Sequence, residues 1–309
     1  MKRLCALIFF PFIFDAPAFA IDCKKAATDV EKAICASPAL LAKDADLNRV
    51  YSAVLQKSKS ETKNSLPTAQ RIWNQQVLQN CRAHEVCIAE AIEARVAYLN
   101  GEPRLGNARS PLPTPQVKAE VGTAKDAYVS LEVLTFDNTQ SAGEIAFNQW
   151  IGDWHGPDEG VDLTSENQFE STKVRLLFAS DKILGAVREE GAYWGGAHGQ
   201  SSFDAIYLDR ITGKKLEFED VFRKGALDIL FPVCLAQADA PLDFEEGESD
   251  NLRFLVRDLG SWEFSKSGAR LTFGPYSIGG YIQPIYGCDF TTALLQKLVQ
   301  PEYRSMIDN

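Results

Sequence analysis

The residues able to do chemistry are few and scattered. His84, His155 and His198 stand in different stretches, with no H-x-x-x-H spacing. The three-ligand cluster of a catalytic zinc is therefore not expected. Asp153 and Asp158 beside His155 read as turn residues. Ser60-Glu61-Thr62-Lys63 matches S-x-x-K but falls in a polar stretch between expected helices. Neither S-D-N nor K-T-G accompanies it, and no G-x-S-x-G occurs. No glycine-rich phosphate loop is present. A glycosidase needs two opposed carboxylates, and among 42 Asp and Glu no pair stands out. The expectation is a protein that is not an enzyme, with no catalytic residue, metal or cofactor.

The cysteines point to covalent structure instead. Cys5 lies in the leading apolar run. The remaining six divide into Cys23, Cys35, Cys81 and Cys87, then Cys234 and Cys288. Met1 to Ala20 reads as a secretory leader: Lys2-Arg3, an apolar run from Leu4 to Phe14, and the A-x-A site Ala18-Phe19-Ala20. Cleavage near Ala20 would deliver the thiols to an oxidising compartment, periplasmic or extracellular, where they pair. Cys234–Cys288 is the expected distal bridge. The first four cysteines allow three pairings, of which the local Cys23–Cys35 and Cys81–Cys87 are favoured. The apolar run is too short to span a bilayer, and Cys23 lacks a lipidation lead-in, so no membrane anchor is expected.

Two segments have the composition of binding loops. Tyr193-Trp194-Gly195-Gly196-Ala197-His198-Gly199 places two aromatics and a histidine among three glycines. Phe273 to Tyr281 holds Pro275, Gly274, Gly279 and Gly280 around Tyr276 and Tyr281. Glycine allows unusual backbone angles and close approach, and tyrosine offers amphipathic contact area. Tyr193, Trp194, Gly195, Gly196, His198, Tyr276 and Tyr281 are the candidate partner contacts. The competing reading of each segment is a turn between core strands.

These features need elements to hold them. Residues 21–100 read as an all-helical unit. Thr28-x-x-Glu31 is a capping box and Ser37-Pro38 a helix start. Leu66-Pro67-Thr68 is read as opening a third helix. Ile88, Ile92, Val96 and Leu99 form the stripe of a fourth, after a turn at His84. Gly101 to Gln116, with Pro103, Pro111, Pro113 and Pro115, reads as a linker. From 117 to 309, strands interleave with helices. Tyr128–Leu134, Val174–Phe178, Ile183–Val187 and Phe203–Leu208 are the expected strands. Trp262–Phe264 and Arg270–Phe273 make a hairpin, and Gly143–Trp154, Ala226–Ala238 and Thr291–Val299 read as helices. The expected fold class is a small disulfide-stapled all-α bundle followed by an α+β domain with an antiparallel sheet.

The chain carries 32 Lys and Arg against 42 Asp and Glu, a formal net charge of −10, which becomes −11 once the leader is removed. Such a chain repels nucleic acid and attracts a basic partner. Ala238 to Asn251 concentrates six acids without a base, as a solvated loop or as an acidic contact arm.

Asp22-Cys23, Thr28-x-x-Glu31-x-x-Ile34-Cys35 and Leu40 open one pattern. Asp44-x-x-Leu47-x-x-x-Tyr51, Gln70-Arg71-x-Trp73, Cys81, Cys87 and Arg95-x-x-x-Leu99 continue it. Together they resemble the LprI-type family, named for a bacterial lysozyme inhibitor. A second set is Tyr193-x-Gly195-Gly196-Ala197-His198-Gly199, Leu208-Asp209-x-x-Thr212-Gly213-Lys214-x-Leu216, Asp220-Val221-Phe222 and Phe273-x-Pro275-Tyr276. It is similar to the extracytoplasmic domain of RsiV-like anti-sigma factors, which also occurs in PdaC-like peptidoglycan deacetylases. The first resemblance implies lysozyme inhibition, and the RsiV branch of the second implies lysozyme recognition. The deacetylase branch keeps its catalysis in a separate domain that this chain does not show, and a signalling role is not expected. The expected function is binding of a lysozyme-like muramidase, a basic lysozyme for example, or of another cell-envelope protein, with inhibition as one consequence. The alternative is a peptidoglycan-binding module or an envelope hydrolase.

Overall fold

The computed structural model describes residues 21–106, 111–153, 160–238, 248–274, 277 and 286–307. The leader, Trp154, His155, Asp158, Tyr276, Tyr281 and most of the acidic stretch after Ala238 lie outside these residues.

Four helices come first: α1 (Asp29–Ala36), α2 (Pro38–Lys57), α3 (Ser60–Cys81) and α4 (Glu85–Asn100). The capping box forms as the sequence dictates. Thr28 Oγ1 accepts from the Glu31 N–H at 3.2 Å, and Glu31 Oε2 accepts from the Thr28 N–H at 2.8 Å. Helix α3 differs from expectation. It starts at Ser60, six residues early, and carries Pro67 inside it. Proline removes the bond that the Lys63 carbonyl would accept. Lys63 and Pro67 both lie on the exposed face, where that carbonyl can be solvated. Lys59 and Lys63 still close the first turn. The S-x-x-K match is therefore the opening turn of a helix, and its Thr62 is buried, accepting from the Val117 N–H at 3.1 Å. Cys23 is bonded to Cys35 and Cys81 to Cys87, with Cα separations of 5.6 and 5.4 Å.

Six strands form the main sheet: β1 (Leu105–Gly106), β2 (Thr114–Val121), β3 (Tyr128–Thr135), β4 (Phe169–Ala179), β5 (Ile183–Tyr193) and β6 (Gln200–Asp209). Their order is β2-β3-β4-β5-β6. Most neighbours are antiparallel, but β3 and β4 run parallel, joined by the crossover through α5 (Ala142–Gly152). Strand β3 pairs with the first half of β4, and β1 pairs parallel to its last two residues. The segment 101–116, read as a linker from its prolines, thus contributes strand at both ends. Leu105 is 3 % exposed because it fills the edge position that β3 leaves. Pro115 sits at the sheet's outer strand, where a missing N–H is tolerated.

Side-chain alternation along the strands supplies two cores. Val174, Leu176, Ala186 and Ile206 lie on the same face as Arg188 and Asp204, which Trp150 of α5 covers. With Leu184 and Leu208 they belong to the hydrophobic cluster that also holds buried residues of the four helices. Leu177, Ile183, Val187, Ala205 and Tyr207 face the other way. There they meet a second antiparallel sheet, β7 (Trp262–Ser265), β8 (Gly268–Phe273) and β9 (Tyr286–Thr291). The short helix α6 (Phe218–Val221), α7 (Ala226–Ala238), α8 (Glu248–Arg257) and α9 (Thr292–Leu298) complete that layer. Trp262 is fully buried there, stacked on Phe290 at 4.9 Å, and its carbonyl accepts from the Tyr207 hydroxyl at 2.8 Å. Cys234 of α7 is bonded to Cys288 of β9, with Cα atoms 5.1 Å apart.

Candidate functional site

The quoted LprI-type residues belong to different helices, yet several of them converge. Glu31 and Ile34 of α1, Asp44, Leu47 and Tyr51 of α2, and Gln70 and Trp73 of α3 line one cavity of about 330 Å³. Ile88 and Ile92 of α4 close its floor. The i, i+3, i+7 spacing of Asp44, Leu47 and Tyr51 puts all three on one helix face. Burial raises the Asp44 carboxyl above its ordinary range, against the lowering by the Ile21 N–H that it accepts. Burial also raises the Tyr51 hydroxyl, partly offset by the nearby Arg95 guanidinium. The cavity thus has apolar walls and a few polar groups, a form suited to recognition.

Arg95 anchors this layer to the sheet. It is 4 % exposed and pairs with Glu132 of β3, itself 2 % exposed. Its Nε donates to Gln70 Oε1 at 3.0 Å, and its guanidinium lies 5.8 Å from the Trp73 ring centre and 5.4 Å from that of Tyr98. Tyr98 donates to the Val133 carbonyl at 3.3 Å. Its hydroxyl is held well above the ordinary range by burial first and by Glu132 second. Gln76 of α3 adds two bridges, donating to the Tyr128 hydroxyl at 3.1 Å and accepting from Lys173 Nζ at 2.6 Å.

The aromatic-glycine segment is the turn between β5 and β6. Gly195 and Gly196 have φ of +95° and +105°, angles that side-chain-bearing residues rarely adopt. The Tyr193 hydroxyl donates to the Gly196 carbonyl at 2.9 Å, closing the turn on itself. Gln168 donates to the Trp194 carbonyl at 3.0 Å. Gly195, Gly196 and His198 are exposed, while Tyr193 and Trp194 are half-buried. The Trp194 indole N–H is shielded from solvent and has no hydrogen-bond partner among the described residues. Beside it is a cavity of about 230 Å³ whose lining includes Glu170, Glu190, Trp194 and Ser202. Burial, then the Glu190 charge, raises the Glu170 carboxyl.

Strand register adds residues that sequence reading missed. Tyr128, Phe169 and Tyr193 are direct cross-strand neighbours on β3, β4 and β5. Tyr128 and Phe169 stack at 5.4 Å. Only pairing reveals this row, because the three residues lie far apart along the chain. The candidates Tyr193, Trp194, Gly195, Gly196 and His198 are thus together, whereas Tyr276 and Tyr281 lie outside the described residues.

Charge is divided unevenly between the two parts. Residues 21–100 hold eleven Lys and Arg against nine Asp and Glu, a net of +2; residues 101–309 hold 19 against 32, a net of −13. Among the described residues, no group of His, Cys, Asp and Glu is arranged to hold a metal ion, and no helix is long and apolar enough to cross a membrane.

The class defined by this geometry is a disulfide-closed helical module packed on a mixed sheet, with an aromatic row at one end of that sheet. Residues 23–99 match the family described as lysozyme inhibitor LprI, so the helical module is an LprI-type segment. No curated protein matches the chain. Several solved structures are similar, two of them as follows. One is a DUF3298 family protein from Pseudomonas aeruginosa PAO1, with 14 % identity and a TM-score of 0.39, covering 65 % of this chain and 98 % of that one. The other is a DUF3298 family member from Bacteroides fragilis NCTC 9343, with 14 % identity and a TM-score of 0.40, covering 63 % and 95 %.

Proposed function

We propose that this chain is an exported binding protein, cleaved after Ala20, that engages a lysozyme-like muramidase and occludes its carboxylate-bearing cleft. The observation that carries the reading is the LprI-type segment 23–99, whose motif residues converge on one cavity. Charge supports a division of labour. The sheet part, at −13, attracts the surface of a basic enzyme and steers encounter. The helical module, at +2, does not repel an acidic cleft. Within the sheet part, Trp194 and the exposed turn beside it are the contacts offered to the partner.

Muramidase turnover of a cell-wall suspension, with the oxidised mature protein in excess, tests this. Slower turnover, weakening between low and physiological salt as surface charges are screened, is expected. Full activity and no complex across several lysozyme types would overturn the proposal. Retention on purified sacculi without any muramidase effect would favour a wall-binding module instead.

A further inference from the structure

Ile21 and Asp44 meet at the helical cavity, whose lining includes both. The Ile21 N–H donates to Asp44 Oδ2 at 2.9 Å across 23 residues of sequence. Asn48 Nδ2 donates to the same oxygen at 3.3 Å. Both donors are neutral. Among the described residues, no Lys, Arg or His side chain pairs with Asp44. The nearest cations along α2 are committed elsewhere, Lys43 to Glu93 and Arg49 to Asp46. Glu31, the other carboxylate lining the cavity, is occupied by the N–H groups of Ala27 and Thr28. Tyr51, the remaining titratable group of the lining, is buried on the same helix face as Asp44. Asp44 is thus a half-buried carboxylate without a countercharge, an arrangement that costs desolvation with little Coulombic return.

The atom it holds is the one that leader removal would transform. Ala18-Phe19-Ala20 immediately precedes Ile21. Hydrolysis of the Ala20–Ile21 bond places the hydroxyl of water on the Ala20 carbonyl carbon and a hydrogen on the Ile21 nitrogen. That amine then takes a proton from solvent to become an ammonium. We infer that Asp44 is the receptor for the α-ammonium of the processed chain, so that leader cleavage converts a neutral hydrogen bond into a salt bridge that fixes the new N-terminus as a wall of the cavity. The inference rests on the cleavage position proposed above, and not on the identity of the partner. The Ile21 side chain already packs against the helical core, and Cys23 two residues on is bonded to α1 through Cys35. A terminus held at both points is protected from the fraying usual at chain ends.

The test compares chains beginning at Ile21 and at Ala20, each with Asp44 and with Asp44→Asn, all with disulfides formed. The readouts are the rate of α-amine acylation at pH 7 and the melting temperature. The Ile21 amine should acylate about tenfold more slowly with Asp44 than in the Asp44→Asn background, the effect of one pKa unit. The Ala20 amine should react alike in both backgrounds. The Ile21 chain should melt above the Ala20 chain only when Asp44 is present. Equal acylation rates for Ile21 in the two backgrounds would overturn Asp44 as the receptor, whatever the exported chain begins with. Mass analysis of the exported protein's N-terminal peptide is the separate arm. A different first residue would overturn the processing step while leaving the recombinant result to stand.

Discussion

Replacing Glu132 should expose how strongly the helical module and the sheet depend on each other. Glu132→Leu leaves the Arg95 guanidinium at 4 % exposure with Gln70 as its remaining hydrogen-bond acceptor. Removing one partner of a buried pair costs about 3–5 kcal/mol, because the other charge stays desolvated and unpaired. A domain-scale stability of about 5–15 kcal/mol makes that a large fraction. The melting temperature should fall by on the order of 10 °C. The double variant Arg95→Met with Glu132→Leu should recover most of the loss, since no buried charge remains. Urea titration of the oxidised protein, followed by far-UV circular dichroism and tryptophan fluorescence, measures both costs. One coincident transition is expected by the two probes, because the helices and the sheet share a core. A single-variant cost under about 1 kcal/mol, the range of exposed pairs, would refute the reasoning. An early helical transition that leaves the sheet's transition unmoved would refute it as well.

Two further outcomes concern the covalent and ionic links. Loop entropy ranks the disulfides: replacing Cys234 and Cys288 by alanine, which opens a separation of 54 residues, should cost roughly 4 kcal/mol, against roughly 2.4 kcal/mol for Cys81–Cys87 at a separation of 6. The same denaturation assay measures both, and the reverse ranking would count against the entropic account. Burial opposes ionisation of Glu263, but Arg175 and Arg104 outweigh it and hold the carboxyl below its usual range. A depressed carboxylate contributes stability above its unfolded pKa of about 4.3 and loses it as pH falls through the folded value. Glu263→Gln should therefore lower stability at neutral pH and flatten its decline below about pH 4, read from melting temperatures across the acid range.

Local chemistry was legible wherever a few neighbouring residues decide the outcome. The Thr28 and Glu31 capping box, the Ser37-Pro38 start and the alternation along β4, β5 and β6 all appear where the sequence places them. Proline was over-read twice. Pro67 sits inside α3, and Pro115 inside β2, because each faces a position that does not need its N–H. Leu105 carried no periodic signature, since a two-residue strand has none; only the vacant edge of β4 explains its burial. The candidate turn was readable from its glycines, whereas Tyr128 and Phe169 beside it were not.

Sequence by itself determined the inventory: a leader pattern, six cysteines split four and two, helix and strand periodicities, an acidic balance and the LprI-type motif. These are local or compositional properties, set by side-chain volume, charge and spacing along one segment. Tertiary structure decided what those residues do together. It brought motif residues from three helices to one cavity, buried Arg95 against Glu132 across the helix–sheet contact, and set the Ile21 nitrogen against Asp44. Such juxtapositions depend on which faces pack and in what register, and no spacing along the chain encodes that.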